Sequence, residues 1–449
     1  MKRLLLAGAA LLLLIAVGGV AYLALLARRL DTPAFQKSLL AQAKATVGAE
    51  VRVKEMDISL LSGVTLKGIA IDNPAPFPGD FLTAEAFVLR YRLLPLLAGR
   101  VEVERLALER PVLALAMDAR GVFNYERLGG PSRSAPSPAT SAAAAAPLRV
   151  VLKRLSMAEA SIGVTDHTRS RLLTIEAADF QSAFEVVGGT ARGSGEATAA
   201  TVDVAGLLFL RALRAPLEVS RETVRLDPVR ARVAGGKATG DVTVRLKDGF
   251  RYVASLEVRD VEVKTLLAEA KATLGVSGRL RAKATFEGRG GLPTLRGRGE
   301  GTIEDCRVED ARTLVLLADV LKVPELASPD FEECRFEFVQ TGSRLSTPVV
   351  SLKGQAVRLT GRGTVNLATR ALDYEMRLAL APKLMAKVTR PELRPAFRDG
   401  GDGFSTIDFR LYGTTLDPQT DLLARVGKAA ATEAVKGQIE RLFKRKSER

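Results

Sequence analysis

The chain has no tryptophan, one histidine, two cysteines and six tyrosines in 449 residues. Each scarcity removes a class of chemistry. An ordinary zinc centre takes three or four His and Cys ligands, more than His167, Cys306 and Cys334 supply at their spacing. A serine triad would have to use His167, and no G-x-S-x-G is present. His167 stands in VTDHTRS, a polar turn between two strand-like runs, and reads as a surface residue. No C-x-x-C occurs, and two cysteines do not make a disulfide framework. Cys306 and Cys334 read either as a cross-strand pair in an oxidising compartment or as two buried thiols in a reducing one.

Phosphate cradles are missing too. A dinucleotide fingerprint needs a strand, then G-x-G-x-x-G, then a helix. Gly297, Gly299 and Gly301, like Gly361 and Gly363, are followed by more strand. The acid pairs Glu332–Glu333 and Asp305/Glu309 are scattered among strands and read as solvated faces rather than a convergent acid–base site. The expectation is a protein that is not an enzyme, with no catalytic residue, no metal and no cofactor.

Long apolar runs are absent except one. Leu4 to Ala27 carries no charge over its whole length, enough to cross a bilayer as a helix. A secretory h-region is shorter, and no A-x-A precedes Arg28-Arg29, so residues 1–30 read as an uncleaved transmembrane anchor. Lys2 and Arg3 lie on one side of it, and Arg28, Arg29, Lys37 and Lys44 on the other. Charge alone does not orient it.

What is abundant is Val, Leu, Ala and Arg. The formal net charge is +15, which favours anionic partners such as lipid headgroups or lipopolysaccharide phosphates. Nucleic acid is not expected, because the basic residues are not interleaved with stacking aromatics.

Along the chain, Thr32-Pro33 opens a helical run over 34–47 that Gly48 ends. From there the apolar period changes from about 3.6 to 2. The strand-like alternation defines an amino-terminal β domain over 31–128 and resumes in a second β-rich domain over 148–416, on either side of a Pro/Ser/Ala linker at 129–147. Two helical runs interrupt the second stretch, at 263–275 and at 311–326, the latter stopped by Pro324. A loose repeat begins at Gly235, Gly297 and Gly361, each glycine group preceding an alternating strand. At about 12 residues per strand and turn, the body predicts about 27 strands, roughly 130 Å of sheet at about 4.8 Å per strand. Residues 417–449 read as a basic amphipathic helix, with Leu422, Val426, Val435, Ile439, Leu442 and Phe443 on its apolar stripe. It suits either a membrane surface or a cap over the open end of the sheet.

Three segments carry a family likeness: the run from Gly63 to Asn73-Pro74, the A-E-x-x-x-L-R-Y segment from Ala84 to Arg100, and Leu108 to Asn124 with its closing G-x-x-N. In this order and spacing they resemble the AsmA family of bacterial envelope proteins. Residues 331–382 and the closing DFRLYGTTLDPQTD look like that family's final domain. The resemblance implies an inner-membrane anchor, a periplasmic body and an elongated, curved antiparallel sheet enclosing an apolar groove. It implies phospholipid acyl chains as cargo, carried toward the outer membrane. The alternative is a structural or chaperone-like factor for outer-membrane protein assembly, with envelope assembly proteins as partners. The fold class expected is therefore mainly β, with a few short helices, one transmembrane helix and a carboxyl-terminal helix.

A period-2 strand offers one apolar row. The row expected to line a lipid groove comprises Val242, Val244, Leu246, Leu280, Ala282, Ala284, Phe286, Ile407, Phe409 and Leu411.

Overall fold

The computed structural model describes residues 33–428 and 431, apart from 60–62, 93–94, 96–100, 130–148, 169, 188–189, 221, 246–250, 273–274, 290–293, 309–311 and 390. The uncharged run at 4–27, nearly all of the 129–147 segment and residues 432–449 lie outside the described residues. Among those described, no helix is long and apolar enough to cross a membrane.

The described chain is mainly β, a large and mostly antiparallel sheet with few short helices. It divides into two compact units. The first comprises Met1–Arg232, Thr239–Ala254 and Glu287–Leu292; the second comprises Val233–Ala238, Ser255–Phe286 and Pro293–Arg449. The division does not fall at the 129–147 segment expected to be a linker.

The first unit opens with α1 (Pro33–Val47). Proline at its first position costs no hydrogen bond. Gly48, at φ 73°, closes it by donating to the Lys44 carbonyl. The strands that follow are β1 (Val51–Arg52), β2 (Glu55–Ser59), β3 (Gly63–Asp72), β4 (Asp80–Arg92), β5 (Val101–Glu109) and β6 (Val112–Ala116). Next come β7 (Arg149–Thr165), β8 (Arg171–Val187), β9 (Thr190–Val204), β10 (Leu208–Val219) and β11 (Thr223–Val233). β5 and β6 are one extended stretch broken at Arg110 (φ 44°) and Pro111, a residue with no N–H for the ladder. Both pair with β4 or its continuation on one side, antiparallel.

On the other side both β5 and β6 pair with β7 in parallel, Leu106 opposite Leu155 and Leu113 opposite Ile162. This corrects the expectation of an antiparallel sheet throughout. A parallel partner needs a long return connection, and the segment between Leu128 and Arg149 provides it. Leu89 and Val103, each 1% exposed, centre this unit's amino-terminal core with Phe87, Leu106 and Ile69.

Asn124, wholly buried, ties that region together. Its amide donates to Asn73 Oδ1 at 2.7 Å and to the Ala114 carbonyl at 2.7 Å, and its Oδ1 accepts from Ala116 and Tyr125 N–H. The Asn-Pro and G-x-x-N segments, far apart in sequence, are thus two halves of one buried polar contact.

The remaining strands are β12 (Gly236–Arg245), β13 (Arg251–Glu262), β14 (Val276–Arg289), β15 (Arg296–Val308), β16 (Asp330–Phe331), β17 (Glu333–Thr341), β18 (Arg344–Lys353), β19 (Val357–Asn366), β20 (Ala371–Leu380), β21 (Arg398–Asp399), β22 (Ser405–Thr414) and β23 (Pro418–Thr420). In the second unit β15, β17, β18, β19, β20, β22 and β23 form an antiparallel ladder in that order. Its helices are α2 (Val263–Glu269), α3 (Arg312–Leu321) and α4 (Pro382–Lys387).

α3 buries Leu314, Leu317, Ala318 and Leu321, one helical face at i, i+3, i+4 and i+7 spacing. That face shares a closed core with Leu378, Leu380, Ile407 and Phe409 of the sheet. Leu422 and Val426, one turn apart in the helical stretch 422–428, are buried in the same core, as a cap requires. The rest of the expected tail stripe, Val435, Ile439, Leu442 and Phe443, lies outside the described residues.

Cys306 and Cys334 are joined by a disulfide, Cα to Cα 6.3 Å, inside this core. The question left open by the sequence is decided in favour of pairing.

Candidate functional site: an apolar sheet face

Strands β7–β11 lay their apolar residues in cross-strand rungs. Val164, Leu173, Val204 and Leu208 form one rung, and Ile162, Ile175, Val202 and Leu210 the next. Ala160, Ala178, Ala199 and Leu213 follow, then Met157, Phe180, Ala197 and Ala215. A fifth rung runs through Leu155, Ser182, Gly195, Leu217 and Leu226, and a sixth through Leu152, Phe184, Gly193, Val219 and Val224. Ser182 is the one hydroxyl among them, and it is spent on the Ser194 carbonyl at 2.9 Å. The small alanine rung is buried, Ala160 at 1% exposure, while the large residues around it are mostly half-buried. Val204 at the end is 37% exposed. The opposite face of the same strands carries exposed Glu176, Asp179, Gln181, Glu196, Arg211 and Arg214.

Holding one face apolar over such long strands requires a break in the alternation. Leu155 and Met157 point inward at odd numbers, but Ala160, Ile162 and Val164 do so at even ones. The exchange occurs at Glu159 (φ 51°) on β7, Ala177 (φ 46°) on β8 and Ala212 (φ 50°) on β10. These left-handed residues lie at one level across the sheet, where Ala160 pairs with Ala178 and Leu213 with Ala199. Each costs an L-residue about 1–2 kcal/mol. Bulges of this kind bend and twist strands. At the first, the Glu159 N–H is satisfied by Asp179 Oδ1 at 3.0 Å.

From Leu152 to Val164 the face runs roughly 40 Å along the strand at about 3.3 Å per residue, and β7 to β10 span about 14 Å. One bilayer leaflet is about 15 Å of hydrocarbon. The face is therefore longer than the hydrocarbon depth of one leaflet.

A second half-buried row lies in the second unit. Leu280, Ala282, Ala284 and Phe286 of β14 are half-buried and alternate with exposed Arg281, Lys283 and Thr285. Beside them β15 presents Gly297, Gly299 and Gly301. A methyl group on Gly297 would strike the Phe286 ring, and one on Gly299 or Gly301 would strike Phe338 or Phe336. The glycines thus make room for phenyl rings lying across the sheet, with Phe286 and Phe338 centroids 6.3 Å apart. Gly361 and Gly363 of β19 do the same beneath Met376 and Tyr374. Thr347 Oγ1 lies 2.7 Å from the Tyr374 hydroxyl, whose pKa burial pushes up.

The ten residues expected to line a groove fall in three settings. Leu280, Ala282, Ala284 and Phe286 stand together on the open row just described. Ile407 (6% exposed) and Phe409 are buried in the closed core, with half-buried Leu411 at its margin. Val242 and Val244 are half-buried on β12, as is the intervening Thr243, and Leu246 lies outside the described residues. The rungs of β7–β11 were missed because the shifted alternation breaks β7–β10 into short apolar runs of opposite phase. The signal was present in LLTIEAADFQSAF, where Leu173 and Ile175 are followed by Ala178 and Phe180.

The scattered acids are engaged on the surface: Asp305 with Arg279 at 3.0 Å, Glu333 with Lys353 at 3.2 Å, and Glu332 with Gln355 at 2.7 Å. His167 is exposed in a turn organised by Asp166, whose Oδ1 accepts from Thr168 and Ser170 N–H.

Residues 1–218 match the model of the AsmA family. The match ends within β10 and so takes in most of the apolar rungs. The carboxyl-terminal segments that resemble the same family lie beyond it. No curated protein and no solved structure matches the chain.

Proposed function

Since residues 1–218 match the model of the AsmA family, we propose that the chain is a non-enzymatic envelope protein that holds phospholipid acyl chains on the apolar face of β7–β11. The observation that carries this reading is the half-buried state of the larger rung residues Ile162, Leu173, Ile175, Phe180, Leu208 and Leu210. A face that buried its rows against a second layer would leave nothing for a ligand; here large side chains such as Ile175, Phe180 and Leu210 retain exposed surface. Each methylene withdrawn from water against them contributes about 0.8 kcal/mol. No charged side chain lies on the rungs, so tails are held without regard to headgroup. The open row from Leu280 to Phe286 offers a similar surface, and both belong to the same activity.

In this reading the uncharged run at 4–27 anchors the chain in the inner membrane, the body stands in the periplasm, and lipid moves toward the outer membrane. The Cys306–Cys334 disulfide supports an oxidising compartment. Binding of unfolded outer-membrane polypeptides is the competing reading, since an open apolar sheet face also attracts nascent strands.

A photo-activatable residue at Phe180, in cells, distinguishes them. Phe180 should yield adducts of phospholipid mass, and its neighbour Gln181 on the opposite face should not. Polypeptide adducts at Phe180 in place of lipid would establish the competing reading, and equal labelling at both sites would remove the face from consideration.

A further inference from the structure

The reversal of alternation on β7, β8 and β10 is part of a longer line. On β3 the core-facing residues are Val64 and Leu66 before Gly68 (φ 60°), and Ile69 and Ile71 after it. On β4 the core takes Ala84, then Phe87 and Leu89. On β5 and β6 it takes Leu106 and Leu108 before Arg110 (φ 44°), and Leu113 shares the inner face with Ile162 after it. On β9, Ala197 and Ala199 give way to Val202 and Val204.

Register sets these reversals side by side. Gly68 lies between the pairs Lys67–Ala86 and Ile69–Ala84, and so opposite Glu85. Arg110 lies between the pairs Ala86–Glu109 and Thr83–Val112, and its N–H meets the Ala158 carbonyl, next to Glu159. One line therefore crosses the sheet from β3 to β10, wholly within the first unit.

A bulge interrupts the ladder and bends its strand, and bulges aligned on successive strands add their bends into one crease. The ladder is indeed broken at this level. β7 slips against β8 between Met157 and Ala160, and β10 slips against β11 between Arg211 and Arg214. A fold toward the apolar side favours small side chains inside it and long ones outside. Inside stand Ala84, Ala160, Ala178 and Ala199, all buried. Outside stand exposed Glu85, Arg110 and Glu159. Arg110 is ion-paired with both acids, at 3.7 Å to Glu159. Those acids belong to β4 and β7, on either side of β5 and β6, so the pairs follow the crease and leave it free to bend.

We propose that the line from Gly68 to Ala212 is a hinge about which the two sides of the first unit's apolar face open and close. Broken ladders make it the axis of least resistance. Closure brings Ile162, Ile175 and Leu210 toward Met157 and Phe180 across the alanines, and opening parts them. The hinge sets how far the face wraps a ligand, and it rests on the acyl-chain reading only for what that ligand is.

The test places pairs of spin labels on the full chain in detergent, without added lipid. Cys306 and Cys334 are joined, so introduced cysteines are the free thiols. Arg171→Cys with Gln181→Cys spans the line along β8, and Arg154→Cys with Glu218→Cys lies on one side of it. An unbent strand would set the spanning pair about 33 Å apart, at about 3.3 Å per residue. The spanning pair should be closer than that, with a broader distance distribution than the one-sided pair. Ala177→Gly with Ala212→Gly should broaden it further by about 1.5-fold, because glycine has wider φ freedom. The one-sided pair should not change. A spanning distribution as narrow as the one-sided one and unmoved by the glycines would overturn the proposal, as would a mean at the unbent spacing. Thermal melts establish that the double-glycine protein is folded. Label distances decide the hinge, whereas adducts at Phe180 decide the acyl-chain reading, so either can fail alone.

Discussion

Strands β20 and β22 carry Met376, Leu378, Leu380, Ile407 and Phe409 on one face, and strands β7–β10 carry Ile162, Ile175, Val202 and Leu210 on theirs. The side chains are of the same kind and come from the same period-2 pattern. The first set shares its core with α3, α4 and the stretch 422–428, so Leu317, Leu380 and Leu422 have no exposed surface. In the second set Val202 is buried, while Ile162, Ile175 and Leu210 stay half-open. Similar strand chemistry therefore yields a sealed core where the chain supplies a second layer, and an open apolar face in the first unit where several rung residues keep part of their area exposed.

Introducing a charge breaks the comparison most sharply. Leu378→Asp places a carboxylate among fully buried side chains and should prevent the second unit from folding, since an unpaired buried charge is far outside the stability of a domain. Ile175→Asp should leave the protein folded, because a half-exposed carboxylate keeps its water, while phospholipid crosslinking at Phe180 falls. Circular dichroism with the crosslinking readout separates the two outcomes.

A cavity gives a graded version of the same contrast. Leu317→Ala should cost about 2–5 kcal/mol, as expected where surrounding side chains cannot collapse. Leu210→Ala removes the same atoms from a half-open surface and should cost well under half of that in urea unfolding.

The disulfide belongs to the sealed side alone. Cys334→Ser opens a loop of 28 residues, which the chain-entropy argument values at about 3–4 kcal/mol. Only the transition that reports the second unit should move.

The open face has its own diagnostic in the left-handed alanines. Ala177→Gly and Ala212→Gly should each stabilise by about 1 kcal/mol, because glycine adopts positive φ without penalty. Measured melting points check this, and a loss of stability would show that the methyl groups pack usefully there.

The smallest effect concerns pH. The Arg377 guanidinium hydrogen-bonds Asp408 and holds its carboxyl below the usual range, against a smaller opposing effect of burial. A depressed folded pKa means that the pair's stabilisation is present above the unfolded value and lost as pH falls through the folded one. Asp408→Asn should therefore flatten the acid limb of the stability curve. At an exposed pair worth at most about 1 kcal/mol, the change is small.

Much of the local structure was legible in the residues. Pro33 and Gly48 bound α1 where the sequence places them, and the alternation from Leu280 to Phe286 survives intact as half-buried against exposed. By contrast, α3 ends at Leu321, closed by Lys322 at φ 57°, and Pro324 opens a separate 3-10 turn rather than stopping it. The glycines of the repeat were rightly read as strand positions, although their reason is tertiary: Phe286, Phe336 and Phe338 need the space. The parallel pairing of β5 with β7 was not legible, because a return across the 129–147 segment leaves no mark on either strand.

The sequence by itself determined which side chains lie together on each strand, since period 2 is a property of the extended backbone, and residues 1–218 carry the match to the AsmA family model. Tertiary structure decided the rest. Whether an apolar row is sealed depends on a second layer contributed by distant segments, which put Ile407 in a core and Ile175 on an open face. It also decided the phase. Left-handed residues on β7, β8 and β10 reverse the alternation at one level of the sheet, which keeps the apolar rungs on either side of that level on one face, and β7 shifts phase again between Leu155 and Leu152.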